Sequence, residues 1–234
     1  RAKMSDTRRK SAGKSFAYLL GVYLGDGCVT NQNGKPAFRV NTIDPDFAEE
    51  IKSAINIRYP GYHVGVSKHN VSKSSKPNYS LCCTSPELCE DMVRLTDKKR
   101  KIPSLLTLED KGIRLAFIAG LMDSEGYVAA NRNPTNRRYY MGYKSCDKWV
   151  PDFIKILESV GVKIGKVSQE EPRKKGYKVP TRFTIKMQSW IDSGCYFKIR
   201  RKQARVEEWK SFGPYEKRSK NPRRLTPETN TLDT

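Results

Sequence analysis

Apolar positions along this chain recur at helical spacing, switch to alternation and switch back, and the whole progression occurs twice. Over residues 15–26 small and apolar side chains return every three to four positions, which predicts a helix. An Asn- and Gly-rich turn over 31–35 separates short strands near Val29 and over 38–42. Asp44-Pro45 opens a helix carrying Phe47, Ile51 and Ile55, and Pro60-Gly61 stops it. A second hairpin spans 62–84 through the polar stretch 68–77, and Ser85-Pro86 caps a helix that reaches Leu95. The order returns with a helix from about Gly112, strands near Val128 and over 139–145, and a helix over 149–160. Strands over 162–167 and 182–187 follow, then short helices through Trp209. This is an α+β chain of two αββαββα repeats, 15–95 and 112–212, joined by a basic connector over 96–111. A basic arm over 1–14 and a proline-bearing basic tail over 213–234 lack periodicity and are expected to become ordered only on a bound partner.

The two leading helices share more than their place in the order. The first ends Leu19-Leu20-Gly21-Val22-Tyr23-Leu24-Gly25-Asp26-Gly27, and the second ends Ile118-Ala119-Gly120-Leu121-Met122-Asp123-Ser124-Glu125-Gly126. Ala17, Gly21 and Gly25 stand 99 positions before Ala116, Gly120 and Ser124, and Asp26 stands equally far before Glu125. Spacing of four puts the small residues on one helical face, where two backbones can approach closely. Glycine after the acid is a helix stop, so each carboxylate falls at a C-terminal turn. Packed side by side, such helices bring two carboxylates together beside the negative ends of both dipoles, a place suited to a divalent metal. Asp123 lies off the acid's face and reads as a helix-surface or connector contact.

Lys and Arg number 45 against 25 Asp and Glu, a net charge of +20, which favours nucleic acid as the partner. No apolar run is long enough to span a bilayer, so a membrane partner is not expected. Cys28, Cys82, Cys83, Cys89, Cys146 and Cys195 form no Cys-x-x-Cys pair, and His63 and His69 are the two histidines. That pattern disfavours zinc, histidine-metal nucleases and Ser-His hydrolases, and it fits buried reduced thiols in an intracellular protein. Alternation in Arg182-Phe183-Thr184-Ile185-Lys186-Met187 puts Arg, Thr and Lys on one strand face. Phe38-Arg39-Val40-Asn41 and Met141-Gly142-Tyr143-Lys144 repeat it. Such a face suits the DNA major groove, which admits a two-stranded ribbon. Expected DNA contacts are Thr30, Gln32, Arg39, Asn41, Lys68, Lys73, Arg132, Arg137, Arg138, Lys144, Lys166, Ser168, Arg173, Lys174, Arg182, Thr184 and Lys186.

Both nonapeptides resemble the signature of LAGLIDADG homing endonucleases, in the single-chain form with two motifs. The likeness covers about 15–209, and Ile102-Pro103-Ser104 with Glu125-Gly126-Tyr127-Val128 is similar to intein-borne members. Leu24 departs from the Asp of the signature's sixth position and Glu125 from the acid usually present, both variations the family tolerates. The resemblance implies a saddle-shaped DNA-binding sheet, motif helices packed at the domain interface, and a monomer cutting a long double-stranded DNA site to leave short 3′ overhangs. Asp26 and Glu125 would ligate Mg²⁺, with Mn²⁺ as substitute, Ca²⁺ supporting binding alone, and the carbonyls of Gly25 and Ser124 as further ligands. Arg100 and Arg200 fall where relatives carry a catalytic Lys; because Arg stays protonated, Lys101 and Lys198 are alternatives. Asn41 and Lys144 take equivalent strand positions reaching toward the cleavage centre. An RNA maturase, a cleavage-inactive DNA-binding regulator and a structural basic protein are the competing readings. Pro45-Asp46 with Glu50-Ile51-Lys52 superficially matches another nuclease motif, but falls on one predicted helix where that chemistry needs strands.

Overall fold

Two helices that touch through glycine set the frame of the molecule. The computed structural model describes residues 6–69, 77–107, 110–131, 138–170 and 179–212. In it α1 (Asp6–Leu24) lies against α4 (Lys111–Ser124). A Cβ added to Gly21 would sit 2.4 Å from the Phe117 carbonyl oxygen, and one added to Gly120 would sit 2.1 Å from that of Tyr18. Nothing larger than hydrogen fits at this crossing, and Ala17 and Ala116 are buried one turn away. The stripe expected from spacing is therefore the crossing line. α1 starts at Asp6 rather than near 15, so residues 6–14 are helical rather than an unpatterned arm. Residues 10–14 bury little on any side, and periodicity reports burial rather than helicity.

β1 (Cys28–Gln32), β2 (Lys35–Thr42), β3 (Val64–His69) and β4 (Asn78–Cys83) form an antiparallel sheet in the order β1-β2-β4-β3. β5 (Gly126–Ala130), β6 (Tyr139–Ser145), β7 (Ile164–Gln169) and β8 (Thr181–Ile185) repeat that order as β5-β6-β8-β7. Asn41 pairs with Ser80 in the first sheet as Lys144 pairs with Arg182 in the second. Inward residues pack against helices: Phe38 and Val40 are buried with Phe47 and Ile51 of α2 (Pro45–Arg58). Leu88 and Met92 of α3 (Pro86–Thr96) join them, and the Ser85 hydroxyl caps α3 by accepting the Leu88 N–H at 3.2 Å. In the second repeat Tyr143, Phe153 of α5 (Val150–Ser159) and Phe183 form an aromatic cluster with ring centroids 5.0 to 6.0 Å apart. Aromatic pairs at this spacing add to plain area burial. Arg39, Asn41, Arg182 and Thr184 alternate with the buried positions and face the open side.

Three sequence expectations need correction or fall outside the described residues. β8 ends at Ile185, and Lys186 caps α6 (Met187–Asp192), its N–H bonded to the Lys163 carbonyl at 2.9 Å. Cys83, Cys89 and Cys195 are buried as expected, but Cys28 and Cys146 are exposed and Cys82 half-buried, and none of the six is in a disulfide. Among the described residues no helix is long and apolar enough to cross a membrane. Lys73, Arg132, Arg137, Arg173 and Lys174, together with 1–5 and 213–234, lie outside the described residues.

Candidate catalytic centre

The two motif helices end at the same point. A Cβ on Gly25 would meet the Ser124 Cβ at 2.4 Å and the Glu125 Cγ at 3.3 Å, so the two acid-bearing ends are in direct contact. Gly27 and Gly126 let each chain leave its helix straight into β1 or β5; a Cβ there would lie 2.8 Å from the Tyr23 Cα or 2.5 Å from the Met122 carbonyl oxygen. Asp26 and Glu125 are thereby held between a helix end and a strand start. Their side chains reach solvent at the outer edge, yet burial against the helix ends is the largest influence on each and raises both carboxyls above the usual range. The charges of Asp26 and Asp147 raise Glu125 further, while Lys99 and Lys202 oppose the rise at both acids. Two carboxylates that repel each other, flanked by two ammonium groups, form an all-oxygen donor set with cations on either side.

Neither lysine is one that the sequence singled out. Lys99 extends its Nζ to the Gly25 carbonyl at 2.7 Å and lies 5.3 Å from the Tyr23 ring centroid. It gets there through a left-handed turn, with φ of 46°, 53° and 69° at Asp97, Lys98 and Lys99. That conformation is costly for residues with a Cβ and persists only when surroundings over-determine it. Here the Thr96 hydroxyl accepts the Lys99 N–H at 3.1 Å and donates to the Met92 carbonyl at 2.6 Å. From the other repeat, the Trp149 indole N–H donates to the Lys99 carbonyl at 3.1 Å. Lys202, in the first turn of α7 (Arg200–Phe212), donates to the carbonyls of Met122, at 2.9 Å, and Asp123. It is 4% exposed, and burial pulls its ammonium down to about 8.

The cations follow the pseudo-symmetry. Thr42-Ile43-Asp44 closes β2 with the Asp44 N–H on the Thr42 hydroxyl at 3.1 Å, and Ser145-Cys146-Asp147 closes β6 the same way at 3.2 Å. Asp44 of the first repeat accepts Arg201 through two bonds of 2.6 and 2.8 Å, and Asp147 of the second is the largest charge acting on Lys99. Each repeat thus supplies an acid to the basic segment that follows the other.

The sequence-selected cations are placed elsewhere. Lys198 is bound to Glu50 at 2.7 Å, and the backbone N–H of Arg200 is bound to Asp46 with its side chain exposed. Asp46 and Glu50 of α2 therefore dock the segment before α7 and carry no nuclease motif of their own. Arg100 and Lys101 are exposed beyond the left-handed turn. Asp123 is 2% exposed rather than on a helix surface. It accepts the Tyr18 hydroxyl at 3.0 Å and the N–H groups of Lys198 and Ile199 at 3.2 and 3.3 Å, and burial raises its carboxyl to about 6. It is a tie between α1, α4 and the lead-in to α7. Asn41 does join Asp26, lining with Ser124 and Arg201 an open cleft of about 500 Å³.

Lys144 instead belongs to a network on the open face of the second sheet. It pairs with Glu170, which also accepts Arg182 at 3.3 Å. Arg182 in turn donates through Nε to the Tyr127 hydroxyl at 3.0 Å, its guanidinium 5.3 Å from that ring's centroid. On the first sheet the Gln32 side-chain oxygen accepts the Cys82 thiol at 3.0 Å, and the Thr30 hydroxyl and Arg39 Nε are buried atoms with no hydrogen-bond partner. Lys68, Arg138 and Lys166 are exposed, while Ser168 and Thr184 are half-buried.

Comparison with known proteins follows the same lines. Residues 101–212 match the family model described as homing endonuclease. An uncharacterized protein of Methanocaldococcus jannaschii is 28% identical over 131 residues, 52% of this chain and 42% of that protein. The homothallic switching endonuclease of Saccharomyces cerevisiae is 27% identical over 135 residues, 50% of this chain and 22% of that protein. The chain thus spans less than half the length of these curated relatives. I-DmoI, solved in complex with DNA and Mn, superposes with a TM-score of 0.53 at 17% identity, over 77% of this chain and 94% of that one. I-WcaI, solved bound to its DNA recognition sequence, superposes with 0.51 at 9% identity, over 87% and 94%. With its paired motif helices and two four-stranded sheets the chain has the two-domain fold of I-DmoI and I-WcaI, and over residues 101–212, a little under half of its length, it is similar to the homing endonuclease family.

Proposed function

We propose that this protein is a monomeric, site-specific endonuclease that hydrolyses both strands of a long double-stranded DNA target and leaves short 3′ overhangs. The observation that carries the reading is the contact of Gly25 with Ser124, which brings one acid from each motif to a shared point flanked by Lys99 and Lys202. A divalent cation held there supplies an activated water and neutralises charge on the phosphate under attack. Asp26 and Glu125 would hold it; all-oxygen ligation fits Mg²⁺, with Mn²⁺ substituting and Ca²⁺ supporting binding without cleavage. The Gly25 carbonyl already accepts Lys99, so a ligand role for it shares that oxygen. Lys99 and Lys202 balance the acids from within the helix ends, and Asn41 lines the cleft where it can orient water. That I-DmoI was solved with DNA and Mn supports the choice of metal and polymer.

The test is cleavage of a randomised duplex library by the full chain with Mg²⁺, Mn²⁺ or Ca²⁺. Expected are discrete double-strand breaks with the first two and retained, uncut complexes with the third. Equal cleavage in a metal chelator would sink the reading, as would enrichment of folded RNA over duplex DNA, which would point to splicing assistance.

A further inference from the structure

The second sheet carries a carboxylate where the proposed partner is an anion. Glu170 follows β7, and its N–H is fixed on the Pro180 carbonyl at 3.0 Å. Its carboxylate reaches across to β6 and β8, pairing with Lys144 and, at 3.3 Å, with Arg182. Arg182 cannot swing freely, because the Tyr127 hydroxyl holds its Nε at 3.0 Å and the Tyr127 ring lies against the guanidinium. Gly142 makes that possible: a Cβ there would lie 2.5 Å from the Tyr127 hydroxyl. The result is an N–H donor and a carboxylate acceptor side by side, on a preorganised support. The two basic neighbours keep Glu170 ionised, holding its carboxyl below the usual range.

An ion pair that only solubilised the surface would not need a tyrosine brace and a glycine to make room for it. A carboxylate facing phosphates would repel them unless a donor satisfied it. In the major groove the donor that acids accept from is the cytosine N4 amino group, and Arg takes the O6 and N7 acceptors of the guanine opposite. One G·C pair presents both along a single edge.

We infer that Arg182 and Glu170 act as one unit that reads a single G·C base pair in the half of the target facing the second repeat, Arg182 on guanine and Glu170 on cytosine. This rests on the proposed binding of duplex DNA. The pair specifies in two ways. It accepts one base pair, and elsewhere Glu170 leaves a repulsive contact that lowers affinity for every other sequence. Among the described residues the first sheet has no counterpart of the Tyr127-braced arginine: Cys28 pairs with Arg39 where Tyr127 pairs with Gly142, and Ser80 stands opposite Asn41 where Arg182 stands opposite Lys144.

The experiment is selection of bound duplexes from a randomised library by the full chain, with Ca²⁺ present, for wild type, Glu170→Gln, Arg182→Ala and Lys144→Ala. Wild type is expected to prefer G·C at one position by ~10-fold or more. Glu170→Gln and Arg182→Ala should both flatten that same position to under about 3-fold and leave the others sharp, and Glu170→Gln should raise affinity for unrelated DNA. Lys144→Ala removes a basic neighbour of Glu170 but neither reading group, so it should weaken binding to all sequences alike and leave the preference at that position. An unaltered profile in Glu170→Gln with uniformly tighter binding would overturn the inference, as would loss of the preference in Lys144→Ala alone. Failure of wild type to enrich any duplex would overturn the DNA reading itself, and this inference with it.

Discussion

On its open face the first sheet carries Arg39, Asn41, Ser80 and Cys82, whereas the second carries Tyr127, Lys144, Arg182 and Glu170 in one bonded network. The helices beneath tell the opposite story: Gly21 meets Phe117 as Gly120 meets Tyr18, and Gly25 meets Ser124 where the two helices end. The repeats are interchangeable where they touch each other and different where they face outward. A duplicated junction and divergent sheets suit the proposed cutting of both strands of an asymmetric site.

The sharpest way to break this comparison is to remove one acid at a time. Asp26→Asn and Glu125→Gln should each lower single-turnover cleavage by at least ~10²-fold, with DNA binding changed little. Near wild-type cutting of both strands by either variant would end the equivalence of the halves. Next come the glycines at the crossing. Gly21→Leu and Gly120→Leu should each lose about 3 kcal/mol or more in denaturant melts, since carbonyl oxygens occupy the space the side chain needs. Unequal losses would show that one helix gives way more easily than its mate.

Lys202 sharpens the comparison through pH. Its folded pKa, about 8, lies below the ordinary lysine value, so its contribution to stability is fully present above that ordinary value, ~10.5, and is lost as pH falls through about 8. Lys202→Met should therefore gain stability relative to wild type on going from pH 10.5 to pH 7, while cleavage falls by roughly 10-fold or more. A stability difference independent of pH would show that folding leaves the Lys202 ammonium at its ordinary lysine value. The smallest effect concerns salt. Arg39→Ala should reduce the slope of log binding against log salt by about one, and Arg182→Ala by less, because Glu170 already neutralises it. Equal changes would erase the difference between the sheets.

Much of this was readable from the chain, and what escaped did so for physical reasons. The crossing and the acids were legible because duplication repeats a small-residue stripe at fixed offset, and the open faces were legible because strands alternate. The cations beside the acids were not. Lys99 and Arg100 are adjacent in a run of basic residues, and only a three-residue left-handed turn, braced by Thr96 and Trp149, selects which one turns inward. Lys202 is chosen over Arg200 by the phase of α7, which Asp44, Asp46 and Glu50 fix from the other repeat. Long-range docking leaves no local periodicity to read. Glu170 escaped similarly, since its meaning comes from partners on two other strands.

The indole of Trp149 has a consequence for building hybrids. It fastens the carbonyl of Lys99 from the far side of the chain midpoint, across 50 positions of sequence. An enzyme assembled by joining the front half of this protein to the back half of a relative would keep both acids and both sheets, yet leave residues 97–99 without their outside fastener. Such a fusion is expected to bind and barely cut unless position 149 travels with the front half, so the boundary for exchanging modules follows this bond rather than the connector.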